Sequence, residues 1–186
     1  MKELRIITGS TIALGLLAVF TVLSAYGAGA EESKTGGAVF PGTEAGATSL
    51  LNQFVKPGAD HAALSKQLRP TAADYTAVFE SDVSTKVASL HGPAWDSGQL
   101  VIAPKAGQTE VKVFSTTSDE MKSGSGTAMD FPGGWKQIAP KLKPGLKIYR
   151  FKFVEPGKDL GMAFDGLIYV NGNWRIFPKP WRAMGN

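Results

Sequence analysis

The chain has 186 residues, 43% hydrophobic and 19% charged, with 20 Lys+Arg against 16 Asp+Glu, two His and no Cys. That length suits one domain, or one domain with a leader, and the composition is globular rather than disordered or fibrous. The absence of Cys excludes disulfides, thiolate nucleophiles, iron–sulfur clusters and Cys-ligated zinc, and two histidines leave no room for a three-His metal site.

In chain order, Lys2 and Arg5 open the sequence and no charge follows until Glu31. The apolar run from Ile12 to Leu23 ends toward the small residues Ala28-Gly29-Ala30, the pattern of a secretory signal peptide over residues 1–30. Left uncleaved, the same stretch would be a membrane anchor. No Cys follows it, which closes the bacterial lipoprotein route. A cysteine-free exported chain fits a bacterial periplasm or medium, and no Asn-x-Ser/Thr sequon contradicts that. Residues 31–42 are Gly-rich and polar and read as a flexible tether, leaving residues 43–186 as a single domain.

Thr43 caps a helix running to about Val55, with Ala47, Leu50, Leu51 and Phe54 at helical spacing. Asp60 caps a short second helix, and Thr71-x-x-Asp74 resembles a capping box. The box opens a helical pattern through Tyr75, Val78, Phe79, Val83, Val87 and Leu90, with a possible break near Ser81 and an end at His91-Gly92-Pro93. The period then changes from 3.6 to 2. Leu100-Val101-Ile102 and Thr109 to Ser115 predict a hairpin, Ser118 a single capped turn, and residues 123–134 a Gly- and Ser-rich loop. Trp135 to Ala139 adds one helical turn. Leu146 to Val154 alternates, with Tyr149, Phe151 and Phe153 on one face and Arg150 and Lys152 on the other. Leu160 to Val170 and Asn173 to Phe177 flank Asn171-Gly172, a pair suited to the positive φ values of a type I′ turn. Helices followed by an antiparallel sheet predict the α+β class.

This element order, with the ending from Asp165 to Phe177, resembles the nuclear transport factor 2-like superfamily. Pro41-Gly42-Thr43-Glu44 and the close Phe177-Pro178-Lys179-Pro180-Trp181-Arg182 are similar to a group of uncharacterised exported bacterial proteins. The resemblance implies N-terminal helices packed on a curved, mostly antiparallel sheet, a cone-shaped, cystatin-like architecture enclosing a pocket. It also implies either isomerase- or dehydratase-like chemistry or a binding role, and dimerisation through the open sheet face. Fold does not choose between them.

No Gly-x-Ser-x-Gly, phosphate-binding loop or His-Glu-x-x-His motif is present. His61, just inside a helix start, and His91, at a helix end, read as structural. Asp165 interrupts an apolar strand and on strict alternation shares a face with Gly161, Ala163, Leu167 and Tyr169. Inside a pocket its carboxylate would act as a general base, with Tyr149 or Tyr169 donating to an oxyanion. Paired with Arg150 or Arg175, it would be structural instead. The sheet aromatics are mostly core, and Phe151, Phe153 and Trp174 are the candidates to line a ligand pocket. Trp181 reads as packing the tail back onto the domain.

Charge is uneven. Residues 134–186 carry ten Lys+Arg and three Asp+Glu, whereas residues 31–133 carry eight and twelve. Lys141, Lys143 and Lys147, with Lys136, form a basic loop able to meet an anionic envelope component. The expectation is an exported, non-catalytic binding or interaction module whose ligand the sequence does not name, a small apolar molecule or an anionic envelope component, with no cofactor, metal or nucleic acid. Its alternatives are an acid–base enzyme using Asp165 and a polyanion binder using the Lys136–Lys147 loop.

Overall fold

A computed structural model describes residues 40–185. The expected leader and all but the last three residues of the tether lie outside the described residues. Among the described residues, six α-helices and one four-stranded antiparallel sheet make an α+β domain, as the sequence predicts.

The first helix, α1 (Glu44–Leu51), starts where Thr43 accepts a hydrogen bond from the Gly46 N–H at 3.1 Å. It stops earlier than its apolar spacing predicts: the Gln53 and Phe54 N–H groups bond three residues back instead of four. This tightened turn still buries Phe54 completely. Asp60 caps α2 (His61–Gln67), and the Thr71/Asp74 capping box opens α3 (Ala72–Val78). The break near Ser81 is real. Phe79 is extended and bridges to Leu142, and α4 (Ser81–Asp96) begins directly after it.

Helix α4 runs through the expected stop at Pro93. The residue before a proline normally avoids helical angles because its Cβ meets the proline ring, and Gly92 has no Cβ. The extra turn carries Trp95 into the core.

Strand β1 (Glu110–Thr117) pairs with β2 (Lys147–Val154), β2 with β3 (Gly161–Val170), and β3 with β4 (Asn173–Ile176). The expected hairpin between residues 100–102 and 109–115 does not form. The apolar run is three residues long, and its backbone is satisfied elsewhere, with the Ile102 N–H donating to Ser65 Oγ at 2.8 Å. Helix α5 (Ser118–Ser123) is capped by Thr117 rather than Ser118, whose hydroxyl instead accepts from the Leu146 N–H. Helix α6 (Gly134–Ile138) follows, and a 3₁₀ turn at Pro180–Met184 ends the described chain. The β3–β4 turn has φ of 50° at Asn171 and 75° at Gly172, as the sequence requires.

Both faces of the sheet are packed. One buries Tyr149, Phe151, Phe153, Leu167, Trp174 and Ile176 against α1, Phe54, Leu68, Trp95 and Ile102. The other buries Ile148, Ile168, Val170 and Phe177 against α3, α4, α5 and α6. The end of the tether joins the first core: Trp174 Nε1–H donates to the Phe40 carbonyl at 3.2 Å.

Candidate functional site

Strand β3 decides where a site can form. Its register against β2 shifts between Tyr149 and Arg150, so Gly166 is an extra residue opposite that step. Gly166 has φ of +86°, and an added Cβ would collide with the Phe177 carbonyl oxygen and lie 3.1 Å from the Trp135 ring. The bulge overturns strict alternation. Asp165 leaves the face of Leu167 and Tyr169 and stands opposite Arg150 of β2 in the register, with no ion pair between them among the described residues. There it accepts a hydrogen bond from Trp135 Nε1–H at 2.8 Å. Burial raises its pKa above the ordinary carboxylate range, while the Trp135 N–H, Arg150 and Lys179 oppose the rise.

The second consequence concerns the sheet edge. Strand β4 pairs with β3 only from Leu167 to Val170. The Phe177 N–H adds one bond to the Gly166 carbonyl, and the chain then leaves the sheet at Pro178. From Gly161 to Asp165, β3 is paired with β2 on one side and with no strand among the described residues on the other.

That open edge is one wall of a cleft of about 470 Å³. Opposite stand Leu90, Ala94 and Trp95 of α4, with Leu100, Val101 and Ile102 beyond them. Leu90 and Val101 are exposed at 39% and 44%, so the cleft presents aliphatic surface to solvent. Lys179 and Arg182 stand at the end where β4 departs. Both are exposed, and no carboxylate among the described residues forms an ion pair with either. Lys179 has left-handed angles (φ 48°, ψ 50°) between Pro178 and Pro180, so the backbone turns sharply at the cleft's cationic end.

His91 lines the cleft and is 3% exposed. Its Nε2 lies 2.8 Å from the Pro178 carbonyl, which can only accept, so Nε2 carries the proton. Nδ1 therefore accepts from the Tyr75 hydroxyl at 3.1 Å. Burial drives the His91 pKa down to about 4, and the bond to Pro178 only partly opposes it. Tyr75 is pushed up to about 12, mainly by burial. Both ring nitrogens are committed, so His91 fastens α4 to the C-terminal segment and has no free nitrogen for proton transfer.

The remaining candidates lie elsewhere. Tyr149 and Tyr169 sit on the opposite face from Asp165, each packed on Trp174 at ring-centroid distances of 5.2 and 5.3 Å. The fold therefore does not assemble Asp165 with a tyrosine donor. The Tyr149 hydroxyl is buried with no hydrogen-bond partner among the described residues. Phe151, Phe153 and Trp174 are buried in the core beneath α1 and do not line the cleft. Lys141 pairs with Asp82 at 2.6 Å and Lys143 with Glu80 at 2.8 Å, while Lys147 stands 4.0 Å from Glu44 and over the Tyr149 ring. Arg175 pairs not with Asp165 but with the buried Asp74, at 2.9 Å. Trp181 packs on Trp135, as expected.

No group of three or more His, Asp or Glu among the described residues is arranged to hold a metal ion. Sequence reasoning overlooked Lys179, Arg182, Leu90 and Val101, because only the departure of β4 and the length of α4 bring them together. One signal was available: a glycine directly after Asp165, inside an apolar strand, marks a bulge. Comparison of the chain with protein-family models, with curated proteins and with solved structures finds no match to any of them.

Proposed function

We propose that this domain is a non-catalytic binding module and that its ligand site is the cleft between α4 and the open edge of β3. One observation carries the reading: exposed aliphatic side chains and two cations that form no ion pair among the described residues converge on a concavity of about 470 Å³. That volume lies within the range of small-ligand sites, and apolar walls with a few polar groups are their usual lining. The composition favours an amphipathic ligand with an apolar body among Leu90, Ala94 and Val101 and an anionic end toward Lys179 and Arg182. His91 contributes rigidity rather than chemistry, and Asp165 contributes an acceptor oxygen. The leader-like N-terminus supports export from a bacterial cytoplasm. The element order supports a distant kinship with the nuclear transport factor 2-like superfamily.

The test is a fluorescence titration with anilinonaphthalene sulfonate, an apolar probe bearing one anionic group. Saturable binding is expected, and Val101→Glu should weaken it by about tenfold, or about 1.4 kcal/mol. Val101 is exposed, so the melting temperature should barely move. Absent saturation, or equal affinity in the variant, would remove the cleft from consideration.

A further inference from the structure

We infer that the natural occupant of this cleft is an extended peptide strand carrying an acidic group, added to the open edge of β3 along the line that β4 abandons. The inference rests on the cleft being the ligand site and goes further, because it names the ligand's chemistry and backbone geometry.

Three observations carry it. First, the wall from Met162 to Asp165 is a strand whose outer side is unpaired, so it offers alternating backbone N–H and C=O groups to an incoming chain. Gly161 and Ala163 are exposed, so this edge is accessible to an incoming chain, and an unpaired edge is a template for strand addition. Second, the facing wall is apolar and recessed. Leu90, Ala94, Leu100 and Val101 line it and offer apolar surface to the side chains of an added strand. Third, charge completes the fit. Lys179 and Arg182 lie at the β4 end of the edge without carboxylate partners among the described residues, and an acidic side chain or C-terminal carboxylate would supply one. Asp165, on the same edge, disfavours a second acidic group beside the first. The preferred peptide is therefore apolar at alternate positions and acidic at one end only.

The probe is a synthetic hexapeptide with both termini blocked, acetyl-Thr-Val-Thr-Val-Thr-Glu-amide, whose Glu side chain is its one acidic group, set against the same peptide N-methylated at alternate amides so that its backbone cannot donate. Binding to the purified chain is followed by backbone amide hydrogen exchange and sedimentation. The expected result is slowing of cleft-facing amides within Met162–Asp165 by at least about tenfold with the first peptide and by little with the second. Lys179→Asn combined with Arg182→Glu should weaken the peptide by about tenfold while leaving the melting temperature unchanged. Asn is chosen because it tolerates the left-handed backbone at that position.

Peptide binding without protection of the β3 amides would overturn strand addition. So would equal binding of the N-methylated peptide. Saturable anilinonaphthalene sulfonate binding with no peptide binding would leave the cleft reading standing and overturn this one, whereas failure of both probes would remove both. Protection of Met162–Asp165 in the free chain, accompanied by dimer formation, would assign the edge to a second copy and overturn the proposal as well.

Discussion

At the scale of single residues, His91 shows how burial rather than residue type sets a role. A histidine near a helix end reads from sequence as one that bonds its own helix's carbonyls. Here the helix continues past it, and the ring bridges Tyr75 and the Pro178 carbonyl, 87 residues away. The consequence for pH follows from the direction of its shift. His91 titrates at about 4 in the folded chain and near 6.5 when unfolded, so between those values the unfolded state binds the extra proton. Its linkage leaves stability intact above pH 6.5 and removes it progressively as pH falls toward 4. The full loss is about 3 kcal/mol. Urea denaturation from pH 7 to pH 4 measures this, and His91→Gln should flatten that part of the profile even though it lowers stability at pH 7. An unchanged slope in the variant would show that another group dominates the acid limb.

Among the elements, β3 departs furthest from its sequence pattern. Alternation places Asp165 and Tyr169 on one face, and a single glycine bulge separates them. The bulge also lets the Phe177 N–H reach the Gly166 carbonyl at 2.9 Å, which fixes the point at which β4 leaves the edge. Gly166→Ala should therefore cost at least about 2 kcal/mol, from a left-handed backbone angle and a collision with the Phe177 carbonyl. Denaturant unfolding gives the number. A cost near zero would mean that β3 can re-register without the bulge. The other elements were more legible. The Thr43, Asp60 and Thr71 caps, the β2 alternation and the Asn171-Gly172 turn are all local devices whose physics lies within a few residues of sequence. The end of α4 and the missing strand at residues 100–102 were not legible, since each depends on a distant partner: the core around Trp95 and the Ser65 hydroxyl.

Across the whole molecule, Asp74 ties the helical first half to the strands of the second. Its carboxylate completes the α3 capping box and accepts from Asn171 Nδ2 at 2.8 Å and Arg175 Nε at 2.9 Å, spanning about a hundred residues of chain. Burial alone would raise its pKa, but the Thr71 N–H and hydroxyl, Asn171 and Arg175 together hold it below the usual value. Asp74→Ala should cost about 3–5 kcal/mol, because it leaves the largely buried Arg175 guanidinium without its partner. A loss under about 1 kcal/mol in thermal or urea unfolding would show that the hairpin is held by its core contacts alone. The sign of the pH effect follows from the lowered pKa: Asp74 stabilises the fold above pH 4 and loses that contribution as pH falls below it.

The sequence by itself determined the α+β class, the Thr43, Asp60 and Thr71 caps, the closing hairpin and the absence of disulfides, because each follows from composition or from neighbours close in the chain. The tertiary structure decided the candidate site. A cleft exists only where α4, residues 100–102, the unpaired edge of β3 and the departing C-terminal segment meet, and their contacts join residues 60 to 90 positions apart. It also sent the aromatic residues Phe151, Phe153 and Trp174 into the core and paired Lys141 and Lys143 with Asp82 and Glu80. Burial and pairing are properties of three-dimensional neighbours, and a linear pattern records which side chains are available without recording which of them another element will cover.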